Sequence, residues 1–215
     1  MKIVVSLGGS IINPGKIDIN TLLNLKKIIF SSKHSFIIVC GGGSVAREYI
    51  DSAKQAKVKG IDLDEIGIRA TELNAELVAK IMGVKRAQSL EQALSINDKL
   101  VVTNGLFPGV TTDFVSVALS DMAGAGIVVN LSNVKGVYSK DPKKHKDAVF
   151  LKKLSYDKLI SLANEYELGS GENFIFDLAA SKVAKRTKTR VIFMNGLENF
   201  SNFLNKKGFI GSVIE

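Results

Sequence analysis

The chain has 215 residues, of which 46% are hydrophobic and 23% are charged, and its formal net charge is +8. This balance excludes a disordered chain, while the single cysteine, Cys40, excludes a disulfide scaffold and indicates a reducing compartment. No apolar run approaches the roughly 18 residues of a membrane-spanning helix, and the first residues form no signal peptide. We therefore expect a cytoplasmic protein with no membrane partner. The basic residues are scattered and tryptophan is absent, so we expect no nucleic-acid partner.

Short apolar runs alternate with helical patterns along the chain. Strands are predicted over 2–7, 35–40, 100–103, 126–131, 190–194 and 211–214, and helices over about 19–29, 45–58, 64–82, 112–122, 155–165 and from 177 onward. Because helices separate successive strands, the connections are crossovers and the sheet is largely parallel. The strands are apolar on both faces, which indicates helices on both sides. The predicted fold is a three-layer αβα sandwich of the α/β class. It forms one domain over 1–215, with a mild seam between lobes 1–125 and 126–215.

The helix predicted over 64–82 has the clearest periodicity. Its apolar residues recur at intervals of four, three, four and four and are expected to face the core: Ile66, Ala70, Leu73, Leu77 and Ile81. Asp18, Thr111 or Thr112, and Asp177 stand where helix caps are expected.

Three segments share one design, in which a buried strand ends in small residues and a helix begins soon after. They are Ser6–Ser10, Gly41–Ser44 and Pro108–Asp113. Glycine permits close approach of a phosphate, and a helix start supplies unpaired N–H groups. A single junction of this kind is usually only a tight turn. Three at the carboxyl ends of parallel strands converge on one crevice, which predicts a polyphosphate site that Arg47 could also reach.

Familiar signatures of other sites are missing from the sequence. Neither G-x-x-x-x-G-K-[ST] nor a strand-linked G-x-G-x-x-G occurs, so a P-loop and a dinucleotide fingerprint are excluded. His34 and His145 have no companions at metal-ligand spacing, and we expect no protein-built metal site. Cys40, at a strand end, is expected to be a buried apolar residue.

Six segments occur in a recognisable order. They read S-L-G-G-S at 6–10, G-G-G-S-V-A-R-E-Y-I at 41–50, L-D-E-I-G-I-R-A-T-E-L-N-A at 63–75, P-G-V-T-T-D at 108–113, S-N-V-K-G-V-Y-S-K-D-P at 132–142 and F-D-L-A-A-S-K at 176–182. As a set they resemble the amino acid kinase superfamily, and within it the archaeal type of uridylate kinase. The resemblance implies phosphoryl transfer from ATP to UMP with Mg²⁺, an acceptor lobe before an ATP lobe, and a homohexamer.

The same resemblance implies a role for each matching position. ATP-binding residues would be Ser6, Leu7, Gly8, Gly9, Ser10, Gly43, Arg47, Ser132, Asn133, Tyr138 and Asp141. UMP-binding residues would be Gly42, Asp64, Leu106, Phe107, Pro108, Gly109, Val110, Thr111 and Thr112. Asp177 and Lys182 would be catalytic, ordering and neutralising the reacting phosphates. Many members carry a lysine where this chain has Ser6.

Several alternatives remain open at this point. Asp64 could instead cap a helix, Tyr138 could be a packing residue, and Lys182 with Lys185 and Arg186 could form a solvated basic face. Asp113 resembles a residue that stabilises a helix start rather than a phosphate contact. The acceptor could be acetylglutamate, carbamate or isopentenyl phosphate, or the chain could be a non-catalytic storage protein that binds nucleotides or oxyanions on the same fold.

Overall fold

A computed structural model of the chain describes residues 1–142, 144–168 and 176–215, without the side chains of 166–168. The described residues form a seven-stranded sheet in the order β3-β2-β1-β4-β6-β7-β5. Its strands are β1 (Lys2–Leu7), β2 (Ser35–Cys40), β3 (Leu100–Thr103), β4 (Ile127–Ser132), β5 (Lys153–Leu154), β6 (Arg190–Asn195) and β7 (Gly211–Ile214). All neighbours pair in parallel except β6 and β7, which are antiparallel. The prediction of a largely parallel sheet is confirmed.

Helices cover both faces of this sheet. They are α1 (Gly9–Ile12), α2 (Ile19–Ser31), α3 (Gly43–Gln55), α4 (Ile61–Met82), α5 (Leu90–Ser95), α6 (Thr112–Met122), α7 (Tyr156–Leu168), α8 (Leu178–Thr187) and α9 (Leu197–Leu204). Successive residues of β1 point to opposite faces, so Ile3 and Val5 join one apolar core while Val4 joins the other. The two cores, one on each face, confirm the α/β sandwich. No helix among the described residues is long and apolar enough to span a membrane.

Helix α4 differs most from its prediction. It begins three residues earlier, at Ile61. Among the residues predicted to face the core, Ala70 is buried and Leu77 and Ile81 pack partly buried against the core, but the prediction is wrong for Leu73, which is 64% exposed. The buried face of α4 includes two polar side chains, Thr71 and Asn74, which the predicted stripe did not contain. Its buried residues are Ala70, Thr71, Asn74, Ala75, Val78, Ala79 and Met82. Close packing against glycine loops favours small residues there. Leu73 lies on the opposite, solvent-facing side.

The sheet runs without a break across the predicted seam, because β4 pairs directly with β1. Strands β1, β2, β3 and β4 all run in the same direction, so their carboxyl ends lie at one edge of the sheet. Each of the predicted loops leaves a strand at this edge. The assignment of the two lobes to different substrates stays a prediction.

Candidate active site

The loops at the carboxyl edge surround a cavity of about 570 Å³. The predicted site residues that line it are Ser6, Gly8, Gly9, Ser10, Gly42, Gly43, Arg47, Asp64, Phe107, Val110, Thr111, Thr112, Ser132 and Asn133. These residues come from segments far apart in sequence, including all three small-residue loops. The structure thus brings the loops to one crevice, as the strand-loop-helix pattern predicts.

The first two glycine loops touch through their backbones. A Cβ atom built on Gly9 would lie 2.0 Å from the backbone nitrogen of Gly43, and one built on Gly43 would lie 2.6 Å from the carbonyl carbon of Gly9. Gly43 also has a φ of +64°, in the left-handed region that other residues rarely adopt. Only glycine at both positions allows this approach, which places the backbones of both loops on the same cavity.

The start of α3 supplies donors and a positive charge to the cavity. This helix begins at Gly43, and the N–H groups of a first helical turn have no partner within the helix. The positive end of the helix dipole adds to their attraction for an anion. Arg47, one turn further along, also lines the cavity. Backbone donors and a guanidinium on one wall form a site suited to phosphate.

Asp64 links α4 to the loop that follows β3. The N-cap of α4 is Gly60, so the alternative that Asp64 caps this helix is wrong. Its Oδ2 atom instead accepts a hydrogen bond of 2.9 Å from the N–H of Gly109. A carboxylate accepts several hydrogen bonds at once. Asp64 can therefore hold this loop and still accept hydroxyl donors from a ligand in the cavity.

Asp113 is a partly buried carboxylate that lines the cavity. Its Oδ1 atom accepts hydrogen bonds from the hydroxyl of Ser6, at 2.7 Å, and from the amide of Asn130, at 2.9 Å. Burial raises the pKa of Asp113 to about 7, and the negative charge of Asp177 acts in the same direction. The two hydrogen bonds oppose this effect. Asp113 lies in the first turn of α6, as expected. Its hydrogen bonds to Ser6 in β1 and Asn130 in β4 also connect α6 to these two strands.

A polar link connects the starts of α6 and α8. The hydroxyl of Thr111 caps α6, accepting from the N–H groups of Asp113 and Phe114 at 3.2 Å each. The same hydroxyl donates to Oδ2 of Asp177. Asp177 caps α8 through Oδ1, which accepts from the N–H of Ala180 at 2.7 Å. Both predicted caps are confirmed, and together they tie the loop before α6 to the start of α8.

Among the described residues, the predicted site residues that do not line the cavity are Leu7, Leu106, Pro108, Gly109, Tyr138, Asp141, Asp177 and Lys182. The Leu7 side chain is fully buried in the core, so only its backbone is available to a ligand. Tyr138 packs on Phe150 with ring centroids 5.2 Å apart, which favours the packing alternative. Lys182 is exposed on α8. The ligand roles of all these residues stay predictions.

The sequence reasoning missed four polar residues that support the loops: Thr71, Asn74, Asp113 as a partner of Ser6, and Asn130. Thr71 and Asn74 are 7% and 4% exposed and bond to backbone atoms of Gly41, Gly42 and Gly105. One signal was available, because a Thr and an Asn three residues apart interrupt an otherwise apolar helix face. The hydroxyl of Ser132 is buried at the cavity without a hydrogen-bonding partner in the described part of the chain.

Comparison of the sequence with known proteins identifies the family of this chain. The chain belongs to the amino acid kinase family, whose model matches residues 1–195. It is 37% identical to the uridylate kinase of Thermoplasma volcanium, over 100% of this chain and 97% of the relative. It is also 37% identical to the uridylate kinase of Methanocaldococcus jannaschii, with 100% of both chains covered.

Solved structures agree with this placement. The crystal structure of uridylate kinase from Archaeoglobus fulgidus superposes with a TM-score of 0.85 at 34% identity, covering 100% of both chains. The UMP kinase of Ureaplasma parvum matches with a TM-score of 0.79 at 19% identity, covering 100% of this chain and 98% of that one. The second match supports the fold alone.

Proposed function

We propose that this chain transfers the γ-phosphoryl group of ATP to UMP, giving ADP and UDP. The observation that carries the proposal is the meeting of three anion-binding loops around one cavity of about 570 Å³, in a chain whose full-length relatives are uridylate kinases. Two anionic nucleotides placed end to end need such converging donors on both sides of the transferred group. The loops after β1 and β2 suit the ATP phosphates, while α4 and the loop after β3 suit UMP.

The chemistry requires positioning and charge neutralisation more than proton transfer. An oxygen of the UMP phosphate attacks the γ-phosphorus of ATP, the bond to the β,γ-bridging oxygen breaks, and that oxygen leaves on ADP. The attacking oxygen is already ionised near neutral pH, so the site needs no strong general base. Its task is to reduce the repulsion between two anions. The N–H groups of the loops, Arg47 and Lys182 supply positive charge for this.

Magnesium enters this proposal with ATP. The described residues contain no group of three or more histidine, cysteine or acidic side chains that could hold a metal ion. Mg²⁺ is usually bound by substrate phosphates, water and only one or two carboxylates. A metal that arrived with ATP would supply positive charge to the phosphates and would need few ligands from the protein. A cytoplasmic location and a homohexamer are further parts of the proposal.

An assay of ADP release over a panel of acceptors tests the proposed function. The panel holds UMP, dUMP, CMP, acetylglutamate, carbamate and isopentenyl phosphate, each with Mg²⁺-ATP. We expect the highest kcat/KM with UMP and formation of one UDP for each ADP. If ADP were released with another acceptor but not with UMP, the assignment of UMP as the acceptor would be wrong. Nucleotide binding without turnover on any acceptor would instead favour a storage protein.

Replacing Asp64 with alanine should weaken UMP binding far more than ATP binding. The carboxylate would lose both its proposed contact with the ribose hydroxyls and its hydrogen bond to the N–H of Gly109. We expect the KM for UMP to rise by an amount equivalent to roughly 1–3 kcal/mol, with little change in the KM for ATP. Asp62→Ala is the matched control, because Asp62 lies in the same first turn of α4 but does not line the cavity. Equal effects on both KM values would reject the ribose role.

Replacing Lys182 with alanine should lower kcat with little change in either KM. The proposed role of this ammonium is to stabilise charge that develops during transfer, and the side chain must swing from its exposed position to do so. Lys185→Ala is the control, since Lys185 lies one turn away on α8 and is paired with Asp157 at 2.5 Å. Steady-state kinetics of both variants measure the difference. An unchanged kcat for Lys182→Ala would make it part of a solvated basic face.

A further inference from the structure

We infer that Asn74 is a positioning residue that orients the backbone donors of the second glycine loop; this inference rests on the proposed function. Its side-chain amide donates to the carbonyl of Gly41 at 2.8 Å and to that of Gly42 at 3.0 Å. Asn74 is 4% exposed on the buried face of α4. Asn74 does not line the cavity. It therefore acts on a ligand only through the loop.

Peptide geometry converts this contact into an orientation of donors. A trans peptide is planar, and its C=O and N–H bonds point in opposite directions. Holding the carbonyl of Gly41 towards α4 therefore turns the N–H of Gly42 away from α4. The same holds for the carbonyl of Gly42 and the N–H of Gly43, although that carbonyl also accepts from the N–H of Ala46 at 3.3 Å.

The donors oriented in this way belong to residues that line the cavity. Within the described part of the chain, the N–H groups of Gly42 and Gly43 have no hydrogen-bonding partner, and both residues line the cavity. For the carbonyl of Gly41, Asn74 is the sole partner among these residues. Without Asn74 the carbonyl of Gly41 would lose the one contact that fixes its direction among these residues, and glycine places few steric limits on a change of that direction.

Thr71 makes a related contact one turn earlier on α4. Its hydroxyl accepts from the N–H of Gly105 at 3.0 Å and donates to the carbonyl of Ile68 at 2.7 Å. Helix α4 thus fixes the loop after β2 through Asn74, the start of the loop after β3 through Thr71, and the tip of that loop through Asp64. One rigid element sets the relative position of both loops.

Kinetics of Asn74→Leu test the inference. Leucine has a similar size but no donor, and it leaves the carbonyl of Gly41 without a partner. We expect kcat/KM to fall by roughly 10- to 100-fold for both nucleotides, since loss of a buried hydrogen bond is worth one to two factors of ten. The control is Ser120→Ala, which removes another buried hydrogen bond, from Ser120 to the carbonyl of Ile127 at 3.2 Å, away from the cavity. It should lose stability but keep wild-type kinetics.

The outcomes separate this inference from the proposed function. If the wild-type enzyme is active on UMP and the kinetic constants of Asn74→Leu stay within about twofold of wild type, the role of Asn74 is wrong but the proposed function stands. A wild-type enzyme inactive on every acceptor would overturn the proposed function.

A measurement on the wild-type chain covers the case in which Asn74→Leu does not fold. In amide NMR spectra, the resonances of Gly42 and Gly43 should shift on titration with ATP or UMP, because these N–H groups are expected to meet phosphate oxygens. Gly208, which has no neighbour within 4 Å of an added Cβ, serves as the unperturbed reference. Resonances of Gly42 and Gly43 that stay unchanged with both nucleotides would contradict the inference.

Discussion

Replacing Gly9 with alanine is expected to lower kcat by about 100-fold or more. The added Cβ would lie 2.0 Å from the backbone nitrogen of Gly43 and 2.4 Å from its Cα atom. Both clashing atoms belong to the backbone and cannot rotate away as a side chain could, so the two loops must move apart to accommodate the methyl group. Displacement of reacting groups by about 1 Å can cost a factor of 100 in rate. Steady-state kinetics with Mg²⁺-ATP and UMP measure this effect.

Two further substitutions make the Gly9 result interpretable. Gly208→Ala adds a methyl group at a position with no neighbour within 4 Å and should leave kcat unchanged. Gly8→Ala, in the same loop as Gly9, meets its nearest atoms at 3.3 Å and should have an intermediate effect. If Gly9→Ala retained wild-type activity, the close contact between the two loops would have no part in catalysis.

Replacing Asp113 with asparagine is expected to remove a large pH dependence of stability. In the folded chain the pKa of Asp113 is about 7, against an ordinary value of 3.8. Between these values the folded state binds more protons than the unfolded state, so the free energy of unfolding falls as the pH rises, and the full loss is reached above pH 7. The difference corresponds to roughly 4 kcal/mol in total, of which about 2 kcal/mol is lost between pH 5.5 and pH 8.

Thermal unfolding of the two proteins measures this prediction. For a chain of this size, about 2 kcal/mol corresponds to a shift in Tm of roughly 5 °C. Asparagine keeps the Oδ1 atom that accepts from both Ser6 and Asn130, so the variant loses the charge without losing these hydrogen bonds. Asp121→Asn, at an exposed position of the same helix, is the control and should behave as wild type. An equal pH dependence in wild type and Asp113→Asn would contradict a partly buried carboxyl with a raised pKa.

The parts of the fold that the sequence predicts well are those with strong local patterns. Four strands are found at the expected residues: 2–7, 35–40, 100–103 and 211–214. Short apolar runs bounded by turn residues are typical of buried strands. The glycine loops were predictable for a similar reason, since small residues between a strand and a helix start leave unpaired N–H groups accessible to an anion.

Long-range polar contacts were not predictable in this way. Asp113 bonds to Ser6, which lies 107 positions earlier, and Asn74 bonds to Gly41, 33 positions earlier. Hydrophobic periodicity also failed in the middle of α4, where Leu73 faces outward while Thr71 and Asn74 face inward and bond to glycine backbone atoms. Such choices depend on which segments meet in space, and no local pattern records that.

In the proposed reaction one cavity holds both nucleotides end to end. A bisubstrate analogue that joins adenosine and uridine through five phosphates tests this most directly. Calorimetric titration should give one site for each chain, with binding that is weakened by either ATP or UMP and lost in Gly9→Ala. An analogue that competes with only one of the two nucleotides would contradict a single cavity for both, and one that binds Gly9→Ala as well as wild type would show that the contact between the first two loops has no part in binding.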